Sequence, residues 1–391
     1  MTGIQDTMPP SEPNVVDEVP LADEIASLSS ADVQTQPPVC IKVVGPRHPT
    51  LICGNIDWQN ILSYTRRAGA LLTAVDETPR TFKAAIGCES KEVWIAAINK
   101  ELLSMEKMKV WDIIDLKPTY KLVGITWVFK TKKNHLNEVI EYKARLCAQG
   151  FTQTAGIDFD KTYSPTGRLN SLRTLIAFAA SNSLSFHQID VKSPFLNAPL
   201  SETVYLSLPQ GLKGDKRKSC LRLNKAIYGL KQAPLAWYEK LKLWLLSVGF
   251  KACILDPCVF HRKEKESLWL YVHVDDIAIF GKEVEGFKAE IASEFEIKDI
   301  GTADLMLGIK ITREKEYISL DQQHYTESLL ELYGMSKSRP VSTPLVPNSH
   351  LVPATPEEVS EFESLGISYR RAIGSINYLS TATRPDLSFA G

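Results

Sequence analysis

Asp275 and Asp276 are adjacent carboxylates set between two apolar runs, LWLYVHV before them and IAIFG after them. Short runs rich in Trp, Tyr, Val, Ile and Phe on either side of an acidic tip predict a β-hairpin. Successive strand residues face opposite sides of a sheet, so both acids serve one site only if the turn rotates the backbone between them. Asp tolerates such a turn. Two readings follow: a solvated turn, or a pair of repelling anions on a central hairpin that a divalent cation would neutralise. A third carboxylate, Asp190, ends a run in which Phe186, Ile189 and Val191 predict a strand. It lies 85 residues before Asp275, so only the fold can bring the acids together. Alone, it reads equally as an ordinary strand-end residue. The complementary charge lies between positions 117 and 150, where seven Lys or Arg stand against two acids. Such a stretch tracks a phosphate backbone or forms a solvated basic hairpin.

The elements that must position these groups have their own signals. Trp94, Ile98, Leu102 and Met105 recur at helical spacing and predict an amphipathic helix over 91–108. Apolar runs on both sides of the polar turn KKNHLNE predict a long basic hairpin. Leu172, Leu175, Ile176 and Ala179 form one helical face, with Asn170 or Ser171 as cap. Trp237, Leu241, Trp244, Leu245 and Val248 form another, with Pro234 in its first turn and Gly249 at its stop. Phe287, Ile291 and Phe295 mark a further helix.

With 391 residues, 44% of them apolar and 23% charged, the composition is that of a soluble globular protein with more than one subdomain. No apolar run approaches the length of a membrane span, and the N-terminus lacks the basic and apolar regions of a signal peptide, so a soluble intracellular protein is expected. The seven cysteines include no CxxC pair, which argues against a zinc knuckle or a disulfide framework. The net charge of −1 conceals a segregation: the first forty residues hold seven acids, six prolines and no Lys or Arg. A disordered or linker segment is expected there, and the rest of the chain is net basic.

The motifs TWVFK and KARL, SFHQIDVKSPFLNAP, YGLKQAP, the hairpin acids and FEIKDIGTADLMLG, in that order, resemble the reverse transcriptases of Ty1/copia-type retrotransposons. The resemblance implies an α+β right-hand polymerase fold with fingers, palm and a partial thumb or connection. It divides the chain into a linker (1–78), fingers and palm (79–335), and a Pro-rich linker with a truncated connection (336–391), short of any ribonuclease H domain. It implies an RNA-directed DNA polymerase that extends a primer 3′-hydroxyl with dNTPs through two Mg²⁺ ions, with Mn²⁺ as a substitute. The ions would be held by Asp190, Asp275 and Asp276. Lys143 and Arg145, with Lys130 and Lys132 behind them, would meet the triphosphate, and Phe195 would act as a steric gate against a 2′-hydroxyl. Tyr228, Gly229, Lys231 and Gln232 would contact nucleotide and template, His273 the primer end and Lys298 the leaving pyrophosphate. Leu307 and Gly308 would belong to a primer grip.

The implied partners are an RNA template, a DNA or RNA primer and other retroelement Pol or Gag products, in cytoplasmic particles or the nucleus, with no membrane. Three departures stand out. Thr166 and Gly167 replace an apolar pair, Pro194 stands where the family has Ala and so lacks an N–H, and His273 stands where the family has Tyr. A catalytically decayed remnant that only binds RNA or primer–template is the alternative, and a host interaction module whose acidic N-terminus docks a partner is a third reading.

Overall fold

The hairpin around Asp275 forms, and it lies inside a sheet. The computed structural model describes residues 40–43, 78–133, 139–212, 214–264, 266–314, 317–341 and 352–388. Its strands are β1 (Cys40–Val43), β2 (Trp111–Asp115), β3 (Leu122–Val123), β4 (Ile125–Lys133), β5 (Val139–Ala148), β6 (Ser185–Val191), β7 (Tyr205–Leu206) and β8 (Ser219–Leu223). They continue with β9 (Lys251–Ala252), β10 (Val259–Glu264), β11 (Glu266–His273), β12 (Asp276–Gly281), β13 (Ile297–Thr302), β14 (Leu305–Met306), β15 (Ile309–Arg313) and β16 (Tyr317–Asp321). The helices are α1 (Phe82–Gly87), α2 (Lys91–Lys107), α3 (Leu169–Ser181), α4 (Pro194–Asn197), α5 (Ala233–Ser247), α6 (Val284–Glu294), α7 (Gln323–Leu332), α8 (Pro356–Ser364) and α9 (Tyr369–Ala382).

The central sheet runs β13-β6-β12-β11-β10-β9, with every neighbouring pair antiparallel. Period-2 alternation gives it two buried faces. Ile189, Leu270, Val272, Ile277 and Ile279 pack on Trp237, Leu241, Phe287 and Ile291 of α5 and α6. Phe186, Trp269, Tyr271, Ala278 and Phe280 join Leu172, Leu175 and Ile176 of α3, along with Met306 and Ile309. A sheet covered on both sides explains why its strands read as nearly continuous apolar runs.

The basic hairpin is the two-stranded ribbon β4–β5, and it is amphipathic. Trp127, Phe129, Ala144 and Leu146 are buried on one face, where Trp94 of α2 meets Phe129 and Tyr142 edge-on at 5.2 and 4.9 Å. Register pairs Lys130 with Lys143 and Lys132 with Glu141 on the other. The sheet β2-β8-β7-β3 shares its core cluster with the ribbon through Val123, Leu206 and Leu221, and β1-β16-β15-β14 is a further four-stranded sheet. Among the described residues, no helix is long and apolar enough to cross a membrane.

Two helix ends differ from expectation, the start of α3 and the end of α6. The linker expected over 1–78 lies outside the described residues except at its end and at β1, which pairs in parallel with β16. A four-residue strand is too short for its period to register, and its partner lies far along the chain. Helix α3 begins at Leu169, so Asn170 and Ser171 fall in its first turn, and its N-cap is Arg168 without a side-chain bond. Distant Asp256 anchors the chain there, its Oδ2 accepting the Arg168 N–H at 2.9 Å. Phe295 lies just past α6, in extended backbone, and is buried. The Pro-rich tail beyond 336, part of which lies outside the described residues, contributes two helices. Pro356 opens α8 behind a Thr355–Glu358 capping box. Leu379 of α9 packs with Leu329 and Leu387, and Tyr378 donates from its hydroxyl to the Leu307 carbonyl.

The Thr166–Gly167 departure has a packing reason. Tyr271 is fully buried and donates its hydroxyl to the Gly167 carbonyl at 2.8 Å. A Cβ at Gly167 would sit 2.7 Å from the Tyr271 ring and 2.7 Å from the Val272 carbonyl oxygen. Gly167→Ala is therefore expected to destabilise the chain by about 1–3 kcal/mol, an overpacking cost. The urea midpoint should fall, and adding Tyr271→Leu should restore only part of it, because the Val272 carbonyl stays in place. An unchanged midpoint for Gly167→Ala would remove the packing explanation.

Candidate active site

Strand register builds the site from the sheet outward. Lys298 on β13 stands opposite Asp190 on β6, Asp190 opposite Asp276 on β12, and Asp276 opposite His273 on β11. Directly opposed residues share a face with Cβ atoms about 5 Å apart, so these four side chains form one row across four strands. Asp275 occupies the two-residue loop beside the row, and its carbonyl accepts the Val191 N–H at 2.8 Å. Val274, the other loop residue, has φ +60°, a conformation costing a β-branched residue about 1–3 kcal/mol. Trp237 of α5, 1% exposed, holds it there by donating from Nε1 to the Val274 carbonyl at 2.7 Å.

The carboxylates stand in strained electrostatic company. Burial, then the charges of Asp275 and Asp276, raises the pKa of Asp190 against the opposing pull of Lys143 and Lys298. Burial also raises Asp276, with Asp275 adding to the effect; a hydrogen bond from Gln188 and the charge of His273 oppose it. That bond runs from Gln188 Nε2 to Asp276 Oδ1 at 2.9 Å. Among the described residues, no three His, Cys, Asp or Glu side chains are grouped so as to cage a metal ion. The donor set is nevertheless carboxylate oxygen, which fits a hard cation such as Mg²⁺ or Mn²⁺ rather than a thiolate-bound one.

The basic residues reach the acids from β5. Lys143 acts electrostatically on Asp190 and sits 3.7 Å from Glu141, which Lys132 also approaches at 3.3 Å. Burial and neighbouring Lys132 lower the Lys143 pKa. Arg145 is exposed and lies over the Tyr228 ring at 4.9 Å, and Phe195 of α4 meets the same ring edge-on at 5.0 Å. Ribbon, loop and α4 are thereby joined through one aromatic, whose own pKa burial pushes up to about 12. Pro194 occupies the opening of α4, where proline fits because a first-turn N–H has no intrahelical partner.

The loop from Tyr228 to Gln232 is built against the ribbon's end. Gly229 has φ +86°, and a Cβ there would meet the Ala148 carbonyl oxygen at 2.1 Å. The Ala148 N–H donates to the Tyr228 carbonyl at 2.7 Å. The Lys231 N–H donates to Gln153 Oε1 at 2.9 Å, and its ammonium lies 4.9 Å over Phe159. Gln232 is 2% exposed, accepting from Gln153 and donating to the Asp158 carbonyl at 2.8 Å. Gln232 thereby clamps the 153–159 segment to the loop. Leu307 and Gly308 form the two-residue β14–β15 loop with φ +51° and +72°, on a different sheet from the acid row.

Sequence reasoning missed Gln188 and Trp237. Gln188 lies two residues before Asp190 in a strand and must share its face, which was a usable signal. Trp237 was read only as apolar, although a buried indole N–H requires an acceptor.

Sheet and acid row belong to a mixed α/β protein, and the family match makes its fold that of a polymerase. A family model described as reverse transcriptase (RNA-dependent DNA polymerase) matches residues 108–347. The retrovirus-related Pol polyprotein from transposon TNT 1-94 of Nicotiana tabacum is 35% identical over 333 residues, covering 82% of this chain and 25% of its own length. That from transposon RE1 of Arabidopsis thaliana is 33% identical over 82% of this chain and 22% of its own length. The Ty1-ER2 Gag-Pol polyprotein of Saccharomyces cerevisiae is 26% identical over 77% of this chain and 18% of its own length. The chain belongs to the reverse transcriptase family, in its Ty1/copia-type retrotransposon branch. It spans a quarter or less of the length of these relatives.

Trp237→Phe removes the donor that holds Val274 in its left-handed turn. Loss of at least about 1 kcal/mol is expected, read by urea denaturation. Wild-type stability in that variant would mean that the turn holds without the indole.

Proposed function

We propose that this chain is the nucleotide-polymerising part of a copia-type polyprotein, an RNA-directed DNA polymerase that extends a primer 3′-hydroxyl with dNTPs. The observation that carries this reading is the row Lys298–Asp190–Asp276–His273 with Asp275 beside it. Its central acids are raised in pKa by burial and then by neighbouring carboxylates, so the site favours added positive charge. Asp190, Asp275 and Asp276 would hold two Mg²⁺ ions, or Mn²⁺ in their place. Bound there, the metal supplies a lowered pKa at the primer hydroxyl and charge neutralisation at the transferred phosphate and leaving pyrophosphate.

The chain's own residues do the rest. Arg145 and Lys143 neutralise and orient the incoming triphosphate, Arg through paired N–H donors and Lys as a point charge. Phe195, braced by Tyr228, places a ring edge where a ribose 2′-hydroxyl would have to sit. Lys298 stands beside Asp190 to give a proton to departing pyrophosphate, and His273 packs at the primer end. Gly229, Lys231 and Gln232 act by holding the loop under Tyr228. Leu307 and Gly308 position the primer strand from the second sheet. The partners in this reading are an RNA template, a DNA or RNA primer and, by likeness to Gag-Pol relatives, other products of the same polyprotein.

The test is dNTP incorporation on a primed RNA template with Mg²⁺. Asp275→Asn with Asp276→Asn should lower incorporation by at least about 100-fold, since even outer partners of a metal site are worth about 10–100-fold. Chelation with EDTA should abolish it. Turnover surviving the double variant would overturn the assignment of the acids. A folded wild-type chain that binds primer–template without extending it would favour the decayed remnant, and Pro194→Ala would then ask whether the missing N–H is responsible. Separately, Phe195→Val should relax discrimination against ribonucleotides by about 10–100-fold, and unchanged sugar selectivity would remove the gate.

A further inference from the structure

Gln188 is buried in the middle of the acid-bearing face, 5% exposed, two residues before Asp190 on β6. Its neighbours across both flanking strands are the smallest available, Ala278 on β12 and Gly301 on β13. These leave its long side chain free to run along the sheet toward the acids. Nε2 donates to Asp276 Oδ1 at 2.9 Å, while Oε1 is buried without a hydrogen-bond partner.

An amide placed for stability would have both ends satisfied, because an unpaired buried acceptor offsets much of what one hydrogen bond contributes. Leu or Met would fill the same space at no such cost. The amide's value therefore lies in what its single bond does to Asp276. We infer that Gln188 is a positioning residue: it fixes the Asp276 carboxylate by engaging Oδ1 and leaves Oδ2 as the oxygen presented to a divalent cation. Asp275, carried on the loop, has no such partner imposed on it by β6 and keeps both oxygens for the site.

The two hairpin acids are thus unequal, one fixed and one-sided, the other free to take either oxygen to the cation. This rests on the reading of the acids as cation ligands. Outer partners that orient metal ligands are commonly worth 10–100-fold in affinity.

The experiment measures Mn²⁺ binding to the full 391-residue chain by the loss of the free-ion electron paramagnetic resonance signal, without nucleotide or turnover. The variants are Gln188→Met, Gln188→Leu and, as control, Asp276→Asn. Gln188→Met and Gln188→Leu should keep the wild-type urea midpoint and weaken Mn²⁺ binding about 10-fold, and Asp276→Asn should weaken it at least as much. Wild-type Mn²⁺ affinity in either folded Gln188 variant, with Asp276→Asn impaired, would overturn the positioning role while leaving the acids' assignment standing. Undiminished binding in Asp276→Asn would overturn that assignment and the role of Gln188 with it. A large fall in the urea midpoint with Mn²⁺ affinity unchanged would make Gln188 a structural residue only.

Discussion

Repulsion among Asp190, Asp275 and Asp276 is the constraint to which the rest of the structure answers. Three carboxylates gathered at the end of one sheet would spread apart or take up protons unless the backbone were held firmly beneath them. Burial first, and neighbouring carboxylates after it, raise the pKa of Asp190 and of Asp276. The restraint comes from several sides. Val191 bonds the loop to β6, Trp237 holds the carbonyl of a strained Val274, and Gln188 engages Asp276. Strain of this kind persists only where the surroundings over-determine it. A loose surface hairpin with the same sequence would relax into a different turn.

The same logic explains why the basic ribbon has two unlike faces. Its apolar face is fastened to α2 through Trp94, and its basic face is thereby aimed at the acids across the Arg145–Tyr228–Phe195 contact. Gly229 permits a close approach, since only a residue without a Cβ lets one backbone rest on another there. Charge complementarity between Lys143 and Asp190 then acts between partly buried groups, where screening by salt is weak.

What was legible in the sequence was whatever lay in local period and local chemistry. Apolar runs announced β11 and β12, helical spacing announced α2 and α5, and adjacent acids announced the tip. Asp190 as partner of Asp276 was legible only by resemblance, because strand register is not written in either strand alone. Gln188 and Trp237 act through bonds spanning 88 and 37 residues, and Asp256 anchors Arg168 from 88 residues away. No window of sequence contains both ends of such a bond. The tail misled for a compositional reason: Pro356 belongs to a linker by frequency, but as a first-turn residue it begins a helix.

The contact between Gly167 and Tyr271 also bears on how such a chain can drift. A large ring and a missing side chain fill one space together, so neither position is independent of the other. A change at Gly167 first meets a collision with ring and carbonyl alike. Shrinking Tyr271 first leaves a void, which a fold can survive and a later side chain can partly occupy. The two positions are therefore coupled: a side chain at Gly167 collides with the ring while Tyr271 stands, and with the Val272 carbonyl even after the ring has retreated.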